Sequence, residues 1–109
     1  MLVHDWSQIG KEELNPKIVR QVVHTGNATV AKIQLAKGAI VPEHSHVHEQ
    51  ITILLSGRVK LICQDREQIV EAGQMIQMPP DAPHGLEALE ESQAIDVFTP
   101  RRDDWVRQS

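Results

Sequence analysis

The chain has 109 residues, with 11 basic and 15 acidic side chains and a formal net charge of −4. That length fits one domain with a modest core, and the missing basic stripe speaks against nucleic acid as a partner. One Phe and no Tyr leave no aromatic platform for stacking bases, and a lone cysteine, Cys63, rules out an internal disulfide and fits a thiol-reducing compartment. The N-terminus Met-Leu-Val-His-Asp-Trp turns charged at once, without the apolar core of a secretion signal, and no apolar run approaches membrane-spanning length. A cytoplasmic protein is the expectation.

In chain order, residues 7–14 favour a helix. Ile18 to Val23 reads as a strand, His24 to Asn27 as a turn, and Thr29 to Leu35 as an alternating strand. Ile51 to Leu55 and Val59 to Cys63 flank Ser56-Gly57-Arg58, a hairpin signal. Gln64 to Glu67 forms another turn. Ile69-Val70, Met75 to Met78, Leu86 to Leu89 and Ala94 to Phe98 supply the later strands. After Pro100, Asp103 is placed to cap a helical turn running through Arg107. Short Val- and Ile-rich runs split by Gly, Pro and Asp predict an all-β sandwich or barrel rather than βαβ units. A single domain spans residues 1–109, with an arm over about 1–17, a barrel core over about 29–99 and a tail over 100–109.

The chemistry concentrates in two segments. In Pro42-Glu-His-Ser-His-Val-His-Glu-Gln50, His44, His46 and Gln50 share one parity, so an extended strand would turn all three to one face. Downstream, Pro79-Pro-Asp-Ala-Pro fixes the backbone just before His84. Three imidazoles and one amide oxygen suit one divalent transition metal with open positions; nickel, zinc, iron, manganese and cobalt all fit such a set. The other reading is a plain surface or core histidine cluster, with Gln50 hydrogen-bonded within its strand. His48 has the ligand parity but would crowd the site, and reads as a rim or strand-surface histidine. Met75 and Met78 read as barrel lining, and Cys63 as a packed strand residue. Asp96 shares a strand face with Ala94 and Phe98; a carboxylate there is either working or reaching water at the strand edge.

The stretch Gly38-x5-His44-x-His46-x3-Gln50-x6-Gly57 resembles the first cupin motif, and Gly73-x5-Pro79-x-Asp81-x2-His84 resembles the second. The resemblance implies a cupin jelly-roll barrel with one domain. Gln50 stands where the motif usually has Glu, Asp81 where it has Gly, and Ala88 where Asn is often found. A neutral ligand set leaves a divalent ion its full charge, which favours Lewis-acid work over oxygen chemistry. The block from His44 to Ile51, with Leu55-Ser-Gly57, Pro79-Pro-x-x-Pro-His-Gly85 and Asp96-Val-Phe-Thr-Pro-x-Arg102-x-Asp104, is similar to the pectin-degradation proteins that linearise 4,5-unsaturated monouronates. That resemblance implies His44, His46, Gln50 and His84 as metal ligands and Asp96 as the acid/base group. It also implies Phe98 against the sugar and Arg102 on the substrate carboxylate, with a small sugar acid as partner. A metal-containing cupin that only binds a small acid, and an iron-dependent dioxygenase, are the alternatives. A homodimer is expected, because short barrels cover open strand edges that way.

Overall fold

A computed structural model describes residues 1–106. Ten strands run in the order β1 (Glu12–Asn15), β2 (Ile18–His24), β3 (Thr29–Leu35), β4 (Ile40–His44), β5 (Glu49–Ser56), β6 (Arg58–Cys63), β7 (Arg66–Glu71), β8 (Met75–Met78), β9 (His84–Ala88) and β10 (Ser92–Thr99). They form two antiparallel sheets, β1-β2-β3-β10-β5-β8 and β4-β9-β6-β7, so the fold is all-β, as the residue pattern predicts.

The alternation read from the sequence sets the inner face. On β3, Thr29, Ala31 and Leu35 are buried, and on β10 Ala94 and Phe98 are buried on either side of Asp96. In the ladder between β5 and β10, Leu54 faces Ala94, Thr52 faces Asp96 and Gln50 faces Phe98. The apolar cluster includes Ile18, Leu35, Leu54, Val59, Val70, Ile76 and Met78. Along β5 and β10 its members Leu54 and Ala94 give way to the polar Thr52, Gln50 and Asp96.

Several expectations differ from the structure. Residues 7–14 are not helical: a single 3-10 turn over Trp6–Gln8 is followed by β1. Gln21 on β2 donates its side-chain amide to the carbonyls of Trp6 and Ile9, and Arg20 pairs with Glu12 at 3.1 Å. Those contacts with a neighbouring strand override a weak helical propensity.

The signal at Ser56-Gly57-Arg58 is not a hairpin. β5 and β6 lie in different sheets, and Gly57, at φ +87°, turns the chain from one to the other. A Cβ at Gly57 would collide with the Ser92 side chain and the Glu91 carbonyl, so the crossing needs glycine for space as well as conformation.

On β8 the lining residues are Ile76 and Met78. Met75 has the opposite parity and is 64% exposed. Cys63 is half-buried at the end of β6, its thiol donating to the Pro83 carbonyl at 2.9 Å. β4, which the sequence reading did not resolve, pairs with β9, and β9 begins at His84 rather than at Leu86. The tail makes a 3-10 turn over Asp103–Trp105 with Arg102, not Asp103, at its N-cap; Arg107 lies outside the described residues.

Candidate metal centre

The three histidines converge from one ladder and one loop. His44 ends β4 and His84 opens β9, and the two are direct cross-strand partners. His46 belongs to the loop that carries the chain from β4 in one sheet to β5 in the other. The shared parity of His44, His46 and Gln50 is therefore not that of one strand; a corner between sheets brings them together. The proline loop is tied to that corner, because the Asp81 amide donates to the His46 carbonyl at 2.8 Å. Asp81 sits at φ +65°, a left-handed position that Asp tolerates better than most residues.

One nitrogen from each of His44, His46 and His84 lies within 4.8 Å of the others. Their orientation is fixed from behind. Each Nδ1 is within hydrogen-bond reach of a backbone carbonyl: His44 of Pro42 at 2.9 Å, His46 of His48 at 3.1 Å and His84 of Ala82 at 2.8 Å. A carbonyl can only accept, so Nδ1 carries the proton and Nε2 keeps a free lone pair. The Nε2 of His84 is buried without a hydrogen-bond partner. A buried orphan of that kind costs ~1–3 kcal/mol. Burial also pushes His46 and His84 below the ordinary imidazole range, in the direction that favours the neutral ring. These features fit a divalent cation: deprotonated nitrogens turned inward, their other nitrogens anchored to the backbone.

Gln50 is buried on β5, and its Oε1 lies 3.0 Å from His46 Nε2. Its Nε2 donates to Thr52 Oγ1 at 3.0 Å, and Thr52 Oγ1 donates to Asp96 Oδ1 at 2.6 Å. Burial in the barrel pushes the Asp96 carboxyl up to about 6, against hydrogen bonds from Thr52 and Gln50 and the charge of Arg102. Asp96 is thus joined to the histidine cluster through two side chains, a link that the parity of β10 alone does not reveal.

Arg102 is 7% exposed and already engaged. Its Nε and one Nη donate to the Asp104 carboxylate at 3.0 and 2.8 Å. Its guanidinium lies over Phe98 at 4.8 Å and over Trp105 at 4.0 Å. The opposite edge of the guanidinium retains a second pair of parallel donors.

Phe98 meets His46 edge-on with ring centroids 5.7 Å apart and packs against Trp105 at 5.0 Å. His48 is buried, not a strand-surface residue; its ring is 5.3 Å from that of His46, on the rim of the cluster. Three contributors went unread in the sequence: Thr52, Trp105 and Arg20, whose guanidinium stacks on Trp105 at 4.1 Å. Thr52 alone had a usable signal, since it follows Gln50 by two residues on an alternating strand. A cavity of about 320 Å³ runs from His44, Gln50 and His84 past Asp96 and Phe98 into the aliphatic floor.

A family model described as a cupin domain matches residues 31–98. The chain belongs to the cupin family, with its strands forming the barrel and the histidines at its mouth. It is similar over most of its length to the structure of KdgF from Halomonas sp.: 28% identity, 92% of this chain and 95% of that one covered, TM-score 0.85. An RmlC-like cupin from Shewanella frigidimarina is similar at 26% identity, with 94% of each chain covered and a TM-score of 0.88. Oxalate decarboxylase from Bacillus subtilis shares the fold alone, at 23% identity and TM-score 0.79 over 89% of this chain and 29% of that one. No curated protein matches the chain.

Proposed function

We propose that this cupin holds one divalent metal at His44, His46, Gln50 and His84 and opens the ring of 4,5-unsaturated monouronates. The observation that carries the reading is Asp96: a carboxyl group inside the barrel, linked through Thr52 and Gln50 to the histidine cluster and pushed up to about 6 by burial. The motif blocks shared with the monouronate-linearising proteins, and the likeness to Halomonas KdgF over most of the chain, support the same reading.

The substrate class is a cyclic enol ether conjugated to a carboxylate. Its opening moves a proton and releases a hemiacetal without redox change. The metal, when bound, supplies Lewis-acid stabilisation of charge developing on a substrate oxygen. The chain's own residues do the rest. Asp96 gives and takes the proton, and a pKa of about 6 suits either direction near neutral pH. The free edge of Arg102 takes the substrate carboxylate with two parallel hydrogen bonds, while Asp104 holds the other edge still. Phe98 gives the sugar ring an apolar wall.

No helix among the described residues is long and apolar enough to cross a membrane. A homodimer belongs to this reading, supported by the open edges of β1 and β8 in one sheet and of β4 and β7 in the other.

The test is to incubate metal-loaded protein with unsaturated galacturonate and follow the products by NMR. An open-chain keto acid is the expected product. Tight binding of the acid with no product would instead make this a binding cupin, and oxygen consumption would make it a dioxygenase.

A further inference from the structure

Thr52 enters the reading above only as a link, and it stands between the two groups that reading depends on. Its hydroxyl has one proton. A carboxylate only accepts, so the 2.6 Å contact with Asp96 Oδ1 takes that proton. The hydroxyl oxygen then has only lone pairs to offer Gln50 at 3.0 Å, and the amide must meet it with its NH₂. That choice turns Gln50 Oε1 toward the histidines.

The result would be unfavourable without a cation. Gln50 Oε1 and His46 Nε2 lie 3.0 Å apart, and His46 Nδ1 holds its proton on the His48 carbonyl. Two acceptors face each other. Rotating the amide by half a turn would replace that repulsion with an N–H···N hydrogen bond, and the Thr52–Asp96 pair opposes the rotation.

We propose that Thr52 is a positioning residue that fixes which end of the Gln50 amide faces the histidines, keeping the oxygen forward as a metal ligand. The proposal rests on the metal centre described above and adds the device that orients its only amide ligand. Without the hydroxyl, only the Asp96 carboxyl remains behind the amide, and Gln50 turns its NH₂ to His46 Nε2. One oxygen ligand is lost, and one nitrogen lone pair is capped by the same movement.

The test is titration of Co(II) into the metal-free full chain at pH 8, reading affinity by calorimetry and geometry by the visible absorption of the bound ion. Thr52→Val keeps the shape and removes the hydroxyl. It should weaken Co(II) binding about 10–100-fold, the usual effect of removing a partner that orients a ligand, and change the visible spectrum. Thr52→Ser should return both readouts to wild type, which a role in packing would not produce. If Thr52→Val does not fold, Thr52→Ala takes its place beside Thr52→Ser. Wild-type affinity and spectrum in Thr52→Val would overturn the proposal and leave the metal centre standing. Equal weakening in Thr52→Val and Thr52→Ser would overturn it as well. Failure of the wild type to bind Co(II) would remove the metal centre itself, and this proposal with it.

Discussion

His44 and His84 come from segments forty residues apart, yet they face each other as one cross-strand pair, ring centroids 4.6 Å apart. Gly85 permits that approach: a Cβ there would stand 2.9 Å from the Glu43 amide and the Val41 carbonyl on β4. Gly85→Ala should therefore push β4 outward, costing about 1–3 kcal/mol as overpacking does, and should weaken metal binding although no ligand is changed. Melting curves and elemental analysis of the purified variant check this. Wild-type metal content with wild-type stability would show that the pair tolerates separation. The double variant His44→Ala with His84→Ala should carry no metal at all.

Gln50 tests the charge of the ligand set. Gln50→Glu should keep the metal, since a carboxylate binds a divalent cation at least as well as an amide. It should slow ring opening by lowering the effective charge on the ion. The variant also places a second carboxylate beside the Thr52–Asp96 pair. Rate and metal content measured together decide the point: retained metal with an unchanged or faster rate would show that ligand charge is not what glutamine supplies.

Asp96 makes a prediction about stability as well as rate. Its folded pKa of about 6 lies above the ordinary value of 3.8, so between those pH values the folded chain holds a proton that the unfolded chain has lost. Stability contributed by this group therefore falls as pH rises from about 4 to 6. The loss approaches about 3 kcal/mol, at ~1.4 kcal/mol for each tenfold change in proton affinity. Asp96→Asn has no such slope. In metal-free protein its stability advantage over wild type should grow across that window, with His46 and His84 titrating alike in both proteins. Denaturant midpoints from pH 3 to 8 measure it, and a constant difference would place the carboxyl in a watery setting. The same variant, metal-loaded, should lose at least 10²-fold in kcat.

Arg102→Ala should raise KM far more than it lowers kcat, by roughly 1.5–3 kcal/mol of lost charged hydrogen bonding. It should also lower the melting temperature, because it removes the stack on Phe98 and Trp105 and the pairing with Asp104. Arg102→Lys should not restore binding, since an ammonium lacks the second parallel edge. Full rescue by lysine would reduce the arginine to a plain positive charge.

The barrel was largely legible from alternation. The inward parity of β3, β5 and β10 is written in residues such as Ala31, Leu54 and Phe98, because a half-buried strand must alternate. The three clustered histidines were legible as residues but not as a geometry. His44, His46 and Gln50 look like one strand face, yet a sheet-to-sheet corner separates them, and period-two patterning carries no information about corners. Gly57 misled for the same reason: hairpins and crossings demand the same left-handed residue, and only the sheet assignment of β5 and β6 distinguishes them. Arg102 came to the site only through the family resemblance, and its pairing with Asp104 depends on a turn that the sequence placed one residue later. Arg20 and Trp105 stayed unread, because stacking between distant segments leaves no local pattern.

Metal-dependent opening of an unsaturated uronate is decided by adding a divalent metal in steps to chelator-treated protein and recording the loss of conjugated-acid ultraviolet absorbance from unsaturated galacturonate. Turnover should be absent without metal, and the rate should rise in proportion to bound metal and level off at one ion per chain. Absorbance loss that is independent of metal, or none from fully loaded wild-type protein, would contradict it.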